Sequence, residues 1–278
     1  MKTYPDNLRS QAHAGFSLVD IMVGMVIAML GVIIIFQVFS VSEGIKRTTT
    51  SGGDALQSGA TALFSLERLI KSAGYGFFPA NTVWVWPAPA DPANPVAVTI
   101  TAGGSPTCAA AGAATNSDCL IVGYRQNWEY GSFPPASGVG YSFVPAALTF
   151  ETISVNNQAQ LISSINGVIA DGIALIKAEY GTDTTGTGIV NTWTQAVPGN
   201  PLSVHAVRIV VVARSAQPEV TRTATGQIAT CATTTTAPTW IDSATVPLDL
   251  SGNTGLAVGD DWKCYRYKTF ENTVPLRN

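Results

Sequence analysis

One acidic side chain lies inside the longest apolar run of the chain. Between Phe16 and Val41, Asp20 is the only charged residue, and nearly all the others are apolar or small. A carboxylate at the centre of a bilayer costs about 2.5–3.5 kcal/mol on insertion scales, so it needs a partner. Two charges that are each costly in an apolar interior neutralise each other when they pair. The chemistry expected of Asp20 is therefore pairing with another group.

The four cysteines could form disulfides, and three pairings are open to them. Cys108 and Cys119 flank a segment of small residues that reads as a loop, so we favour the pairs Cys108–Cys119 and Cys231–Cys264. In an oxidising periplasm each closed loop contributes typically about 2–4 kcal/mol. The spacing does not match a compact zinc site, and no Cys-x-x-Cys is present. Four free thiols remain the alternative for a domain that is not exported.

A possible calcium loop surrounds Asp183. Residues 180–188 have the outline of an Asp-x-Asp-Gly-x-Gly loop, but threonines stand where further acids would be. Calcium needs several oxygen ligands, usually with more than one carboxylate. We therefore expect a simple turn at Asp183, with calcium as the weaker alternative and no metal site predicted.

Catalysis and nucleic-acid binding find little support in the sequence. Apart from His13, near the start, the chain has one histidine, His205, inside a strand pattern, and it has no Gly-x-Ser-x-Gly, His-Glu-x-x-His or phosphate-loop motif. With 15 basic and 18 acidic residues the net charge is −3, and no basic stripe predicts direct nucleic-acid binding. We predict no enzyme activity and no cofactor.

The elements that carry these residues are one long helix and then many strands. The run from Phe16 to Val41 is about 39 Å long as a helix, enough to span a bilayer. An amphipathic pattern then continues the helix to about Ser72, with a weak point at residues 48–53, and Gly74 ends it. The predicted apolar face of this second half comprises Leu56, Leu63, Leu66, Leu69 and Ile70.

The rest of the chain reads as β-rich with long loops, so the pattern predicts an α+β fold. The valine-rich run Val204–Arg214 is typical of a central strand. The other predicted strands are Thr82–Trp86, Val96–Thr101, Cys119–Arg125, Ala147–Val155, Ala174–Tyr180 and Cys264–Phe270.

The start of the chain resembles a type IV prepilin. Gly15 is followed directly by Phe16, and Asp20 is the fifth residue after the glycine. The resemblance implies that a prepilin peptidase cuts after Gly15 and methylates Phe16. It also implies that Asp20 pairs with the terminal amine of a neighbouring subunit, with Ser17 beside that amine. The family usually has glutamate at this position, so Asp20 keeps the charge with a shorter reach.

The C-terminal half resembles the minor pilins of the PilW family. The resemblance is carried by residues 170–175, 180–183, 206–209, 214–218 and the terminal segment 261–278. It implies a pilin-like fold, in which a long N-terminal helix packs on an antiparallel sheet. It further implies a tip complex that primes pilus assembly. The expected partners are other minor pilins, the major pilin, a tip adhesin, the prepilin peptidase and the inner-membrane assembly platform.

These expectations divide the chain into four parts: a leader (1–15), a transmembrane half-helix (16–41), an amphipathic half-helix (42–74) and a β-rich domain (75–278). The protein would cross the inner membrane once, with its domain in the periplasm, and then move to the pilus tip at the cell surface. Two alternatives stay open: a type II secretion pseudopilin, and a membrane-anchored binding protein or enzyme that keeps its leader. Adhesion, twitching and DNA uptake all stay open as the pilus function.

Overall fold

A computed structural model describes one long helix and thirteen strands of this chain. The described residues are 17–75, 97–103, 105, 108, 114, 116–125, 128–130, 143–145, 148–219, 221–222, 228–231, 233–243, 246–251 and 262–276. The contacts within the chain separate two compact units, Met1–Thr50 and Ser51–Asn278. The predicted α+β class is confirmed, because the long helix precedes antiparallel sheets.

The helix α1 begins at Leu18 and ends at Ser72. Its first part, Leu18–Glu43, is long and apolar enough to cross a membrane, and its side chains are exposed. Residues 48–53, predicted as a weak point, are helical like their neighbours. The helix ends where Gly74 adopts a left-handed backbone conformation, with φ +74°. The Gly74 N–H then donates to the Gly123 carbonyl at 2.9 Å.

The part of α1 that belongs to the second unit is amphipathic. Leu66 and Ile70 are fully buried, and Leu63 and Leu69 pack partly buried against the same core. Leu56 was predicted on this face, but half of its side chain is exposed, because the buried position on that turn belongs to Ala55. The helix also needs a glycine at position 59, because a Cβ there would come within 2.0 Å of the Phe270 ring.

The first sheet has five antiparallel strands in the order β1-β2-β5-β6-β7. Its strands are β1 (Val98–Thr101), β2 (Cys119–Arg125), β5 (Leu148–Val155), β6 (Gln160–Ser163) and β7 (Gly167–Asp171). Apolar residues alternate along it, so one face is buried: Leu120 and Val122 of β2 lie in the core together with Ile153 of β5.

The second sheet has four antiparallel strands in the order β13-β10-β8-β9. Its strands are β8 (Ile173–Thr182), β9 (Thr192–Thr194), β10 (Val204–Arg214) and β13 (Tyr267–Pro275). The prediction that Val204–Arg214 is a central strand is confirmed, because it pairs with β8 on one side and β13 on the other. Two short pairs complete the described strands: β3 (Trp128–Tyr130) with β4 (Phe143–Pro145), and β11 (Thr221–Arg222) with β12 (Ile228–Thr230).

Both faces of the second sheet are buried. Ile209 and Val211 of β10 belong to the main core, which also contains Leu66 of the helix and Ile153 of the first sheet. Val210 and Val212 face the other way and pack in a second cluster, whose cover includes Trp240, Val246, Leu248 and Leu250. This double burial explains why residues 209–213 of β10 are a continuous apolar run and not an alternating one.

The last strand differs from its prediction. The sequence pattern predicted a strand over Cys264–Phe270, but β13 begins at Tyr267 and continues to Pro275. Trp262–Cys264 instead forms a 3-10 turn, and Cys264 is held there by its disulfide. The predicted strand Thr82–Trp86 lies outside the described residues.

Candidate functional site

The candidate assembly site comprises Gly15, Phe16, Ser17 and Asp20. The first two lie outside the described residues, whereas Ser17 directly precedes the helix and Asp20 lies in its first turn. The Val19 N–H donates to Ser17 Oγ at 3.4 Å, and the Ser17 N–H donates to Asp20 Oδ2 at 3.3 Å. This reciprocal pattern matches a helix capping box, in which two side chains each accept a backbone N–H at the helix start. The spacing Ser-x-x-Asp signalled this cap, although sequence analysis assigned the pair only to assembly.

The cap leaves Asp20 able to accept further hydrogen bonds. An ionised carboxylate has about four lone-pair sites, and the Ser17 contact uses one of them. Leu18 and Val19 around it are exposed apolar side chains. An exposed carboxylate at the start of an apolar helix is positioned to receive a cationic group from outside the helix.

Two disulfides hold the domain, and they join the pairs that sequence analysis favoured. Cys108 bonds Cys119 at the start of β2, and Cys231 bonds Cys264 in the turn before β13. The sequence separations are 11 and 33 residues. From loop closure alone such bonds contribute about 3 and about 4 kcal/mol. The loop closed by Cys231–Cys264 contains the residues that pack over Val210 and Val212 in the second cluster, namely Trp240, Val246, Leu248 and Leu250. This bond therefore also restrains that segment.

The Asp183 loop is closed by hydrogen bonds to its one carboxylate. Asp183 accepts the backbone N–H of Thr185 at 2.8 Å and of Gly186 at 2.9 Å, and it also accepts the Gly188 N–H. The Thr185 hydroxyl donates at 2.9 Å. Partial burial would raise the pKa of Asp183, but the hydrogen bonds from Thr185, Gly188 and Gly186 outweigh it and lower the pKa to about 2. Backbone donors therefore satisfy the carboxylate that a calcium ion would need.

A second side chain closes the other side of this loop. Asn191 Oδ1 accepts the Thr184 N–H at 3.2 Å and the Thr184 hydroxyl at 3.1 Å, while its Nδ2 donates to Thr185 Oγ at 3.1 Å. Among the residues that the structure describes, no group of three or more His, Cys, Asp or Glu could hold a metal ion. The geometry is that of a turn held by its own polar side chains.

Two buried ion pairs were not found by sequence analysis. Lys177 Nζ lies 2.8 Å from Asp118 Oδ1, and Arg208 lies 2.6 Å from Glu179. Burial raises the pKa of Asp118, and the Lys177 ammonium opposes that rise. The signal in the sequence was Lys177 and Glu179 at alternate positions of one predicted strand and Arg208 within another, and that signal does not identify their partners.

Arg208 also lies close to two aromatic rings. Its guanidinium lies 4.5 Å from the ring centre of Trp193 and 5.4 Å from that of Trp240. Its Nε donates to Glu179 at 2.6 Å, and another nitrogen donates to the Asp242 carbonyl. Arg208 therefore joins β8, β9 and the cover of the second cluster.

Glu151 and His205, two further ionisable residues, also lie within the fold. Glu151 is fully buried and accepts hydrogen bonds from Tyr124 at 2.8 Å, Asn166 at 2.9 Å and Ser163. His205 lies in β10, as predicted, and its carbonyl accepts the Leu276 N–H at 2.8 Å. These contacts tie strands and turns together.

One family model matches part of this chain. The family model "Type IV Pilus-assembly protein W" (PilW) matches residues 149–278. No curated protein matches the chain. Among solved structures, a type IV-like pilin from Thermus thermophilus aligns with 14% sequence identity and a TM-score of 0.39, covering 81% of this chain and 94% of that one. The predicted resemblance is thus confirmed: residues 149–278 of this chain match the PilW family of type IV pilus-assembly proteins.

Proposed function

We propose that this chain is a minor pilin that joins a pilus-tip complex and primes type IV pilus assembly, without catalysis of its own. The observation that carries the proposal is the match of residues 149–278 to the PilW family. The long apolar helix at the other end of the chain supports it, since a pilin subunit waits in the membrane before assembly.

The proposed processing follows from the residues in front of the helix. A prepilin peptidase would cut after Gly15, and Phe16 would become the methylated N-terminus. Asp20 would then pair with the terminal amine of a neighbouring subunit. The geometry supports this step, because the Ser17 contact leaves acceptor capacity on the Asp20 carboxylate. Pairing would offset the cost of a lone charge in an apolar surrounding.

The proposed division of the chain assigns 1–15 to the leader, 16–41 to the membrane, 42–74 to the amphipathic half-helix and 75–278 to the domain outside the cytoplasm. The two disulfides support an oxidising compartment for the domain. The proposed partners are the other minor pilins, the major pilin, a tip adhesin, the prepilin peptidase and the inner-membrane assembly platform.

The absence of catalysis is proposed from what the buried ionisable groups do. Asp118 and Glu179 are each paired with a cation, and Glu151 is surrounded by hydrogen-bond donors from its own sheet. Groups engaged in this way stabilise the fold, which supports a role without catalysis.

Mass spectrometry of the mature N-terminus tests the processing step. The full chain is expressed with and without a prepilin peptidase, and Gly15→Val serves as the uncleavable control. We expect a chain that begins at N-methylated Phe16 only when the peptidase and Gly15 are both present. An intact leader in every sample would contradict the proposal and favour the anchored-protein alternative.

Counting surface pili tests the priming step. We expect pili to fall strongly in cells that lack this chain and to return with the wild type, but not with Gly15→Val. Proteins that copurify with the chain separate the remaining alternative: pilus proteins support the proposal, whereas type II secretion proteins alone would show that the chain is a pseudopilin.

A further inference from the structure

The strand β13 differs from the other edge strands of the two larger sheets. The edge strands β1 and β9 have four and three residues, and β7 has five and pairs with β6 through an irregular register. In contrast, β13 has nine residues and pairs with β10 in an unbroken register. Proteins usually make edge strands short or bulged, because a long regular edge is a template for another strand. Among these four edges, β13 is therefore the one best suited to further pairing.

The register shows which backbone groups of β13 point away from β10. The Leu276 N–H donates to the His205 carbonyl at 2.8 Å, and the Ser215 N–H donates to the Arg266 carbonyl at 2.9 Å. In an antiparallel pair, residues that bond the partner strand alternate with residues whose N–H and C=O groups point the other way. The even-numbered residues of β13 therefore bond β10. The residues whose backbone groups point outward include Thr269, Glu271 and Thr273, and we call these outward groups the open edge.

The open edge offers a continuous set of donors and acceptors. Among the residues that the structure describes, no other strand pairs with this side of β13, and none donates to or accepts from its outward groups. Three residues with one N–H and one C=O each provide six hydrogen-bonding groups. Lys268 and Pro275, which are residue types that hinder edge pairing, flank the open edge and do not interrupt it.

The polar side chains of the central part of β13 are already engaged within the chain. The Glu271 carboxylate accepts the N–H groups of Ile241 at 3.1 Å and Asp242 at 3.3 Å, on the side of the second cluster. On the helix side, Asn272 Nδ2 donates to Glu67 at 3.0 Å. These contacts fix β13 from both faces and leave its backbone as the group that can recognise a partner. A preorganised strand loses little conformational entropy on binding.

We propose that the open edge binds an extended segment of a different protein chain as an added strand. Main-chain hydrogen bonds would supply the affinity, and the exposed Lys268 would favour an acidic residue opposite it. A second copy of this chain is a poorer occupant. Pairing two copies over all nine residues of β13 would place the two Glu271 side chains opposite each other, and like charges there are destabilising. This inference does not depend on the proposed function.

Residue-resolved amide hydrogen exchange on the isolated full chain in detergent tests whether the edge is open. We expect the N–H groups of Thr269, Glu271 and Thr273 to exchange at least about ten-fold faster than those of Phe270 and Asn272, which bond β10. Equal protection of both sets would overturn the proposal, because it would show that another part of the chain already pairs with this edge.

Site-specific photocrosslinking in cells that produce the chain tests the occupant. A photoreactive lysine analogue that keeps the ammonium replaces Lys268, and a control variant carries it at Val168 of β7, which is 53% exposed. We expect position 268 to form an adduct with one segment of a different protein, located by sequencing the crosslinked peptides, and position 168 to form much less. An adduct within the chain or with a second copy, equal adducts at both positions, or no adduct would each overturn the proposal.

A proline substitution separates main-chain pairing from side-chain contact. Thr269→Pro removes an outward N–H without removing a bond to β10, whereas Thr269→Ala keeps that N–H. We expect Thr269→Pro to give at least about ten-fold less adduct from position 268 than Thr269→Ala, with similar thermal unfolding of the two. Thr273→Pro and Thr273→Ala form a second pair if Thr269→Pro unfolds early. Equal adducts from proline and alanine variants, or failure of both proline variants to fold, would overturn the proposal and leave the proposed function untouched.

Discussion

Asp20 and Asp183 are each the only acidic residue in their segment of the sequence, residues 16–41 and 180–188. Their hydrogen-bond partners differ. Asp183 accepts three backbone N–H groups and a hydroxyl from residues within five positions of itself. Asp20 accepts one described N–H, from Ser17, and then faces exposed apolar side chains. The first carboxylate is satisfied by its own loop, whereas the second is satisfied only in part by its own helix.

The difference shows two roles for a carboxylate whose described partners include no cation: it stabilises its own loop, or it remains available to another molecule. A buried carboxylate that is saturated with N–H donors stabilises a turn and has little capacity for another partner. Asp20 lies in the first turn of its helix, but the N–H groups of Val19 and Ile21 already donate to Ser17 and are not available to its carboxylate. Its remaining capacity is available to another molecule.

The largest expected effect is at Asp20. If it pairs with a neighbour's terminal amine, Asp20→Ala leaves that amine unpaired in an apolar interior, at about 3–5 kcal/mol. We therefore expect the variant to enter pili at least about a hundredfold less than wild type, measured on sheared pilus fractions. Asp20→Asn should fail similarly, because it keeps the shape without the charge, and Asp20→Glu should retain incorporation. Normal incorporation of Asp20→Ala would remove the contrast between the two aspartates.

A smaller effect, on stability, is expected at Asp183. Asp183→Ala leaves the N–H groups of Thr185, Gly186 and Gly188 without their acceptor, so the thermal unfolding midpoint should fall by a few degrees. Asp183→Asn should recover only part of the loss, because its amide group would face one of these donors. Asp54→Ala, at an exposed helix position, is the control and should leave the midpoint unchanged. Equal midpoints for all three variants would show that the loop contributes no stability.

The stabilisation by Asp183 should depend on pH in one direction. Its folded pKa of about 2 lies below the ordinary value of 3.8. The unfolded chain therefore binds the proton more readily than the folded one, and acid favours unfolding. We expect the difference in unfolding midpoint between wild type and Asp183→Ala to be full above about pH 4 and to disappear as pH falls through about 2. Thermal melts of both proteins across this range measure it, and a difference that grows in acid would contradict the sign.

The smallest effect expected is that of calcium. Since backbone donors already occupy the Asp183 carboxylate, millimolar calcium should leave the unfolding midpoint of the wild type unchanged, with magnesium as the matched control. Calorimetry on the same protein provides a second measure. A micromolar calcium signal that Asp183→Ala abolishes would show that the loop rearranges around a metal and would break the comparison.

The sequence was most informative where local rules are strong. The long apolar run, the glycine that ends the helix and the valine-rich strand β10 were all predicted, because helix length, left-handed backbone and continuous apolar runs leave direct marks in a sequence. The disulfide pairs were favoured from the loop between Cys108 and Cys119, and the structure contains the same pairs.

The sequence-based predictions were wrong where residues distant in the chain determine burial or the start of a strand. Leu56 matched the helical period but is exposed, because Ala55 occupies the buried position. The strand predicted from Cys264 starts instead at Tyr267, because the disulfide holds Cys264 in a turn. Helical spacing and β-propensity describe a segment alone and carry no information about what packs against it.

The sequence by itself determined the α+β class of the fold, since a long apolar run and a β-rich remainder are each local patterns. Only the tertiary structure decided which polar groups are partners. Asp118 meets Lys177, 59 residues away, and Arg208 lies between Trp193 and Trp240 on other segments. Periodicity reports which face of a strand is buried, but the identity of the neighbour depends on sheet order, which arises only when the whole chain packs.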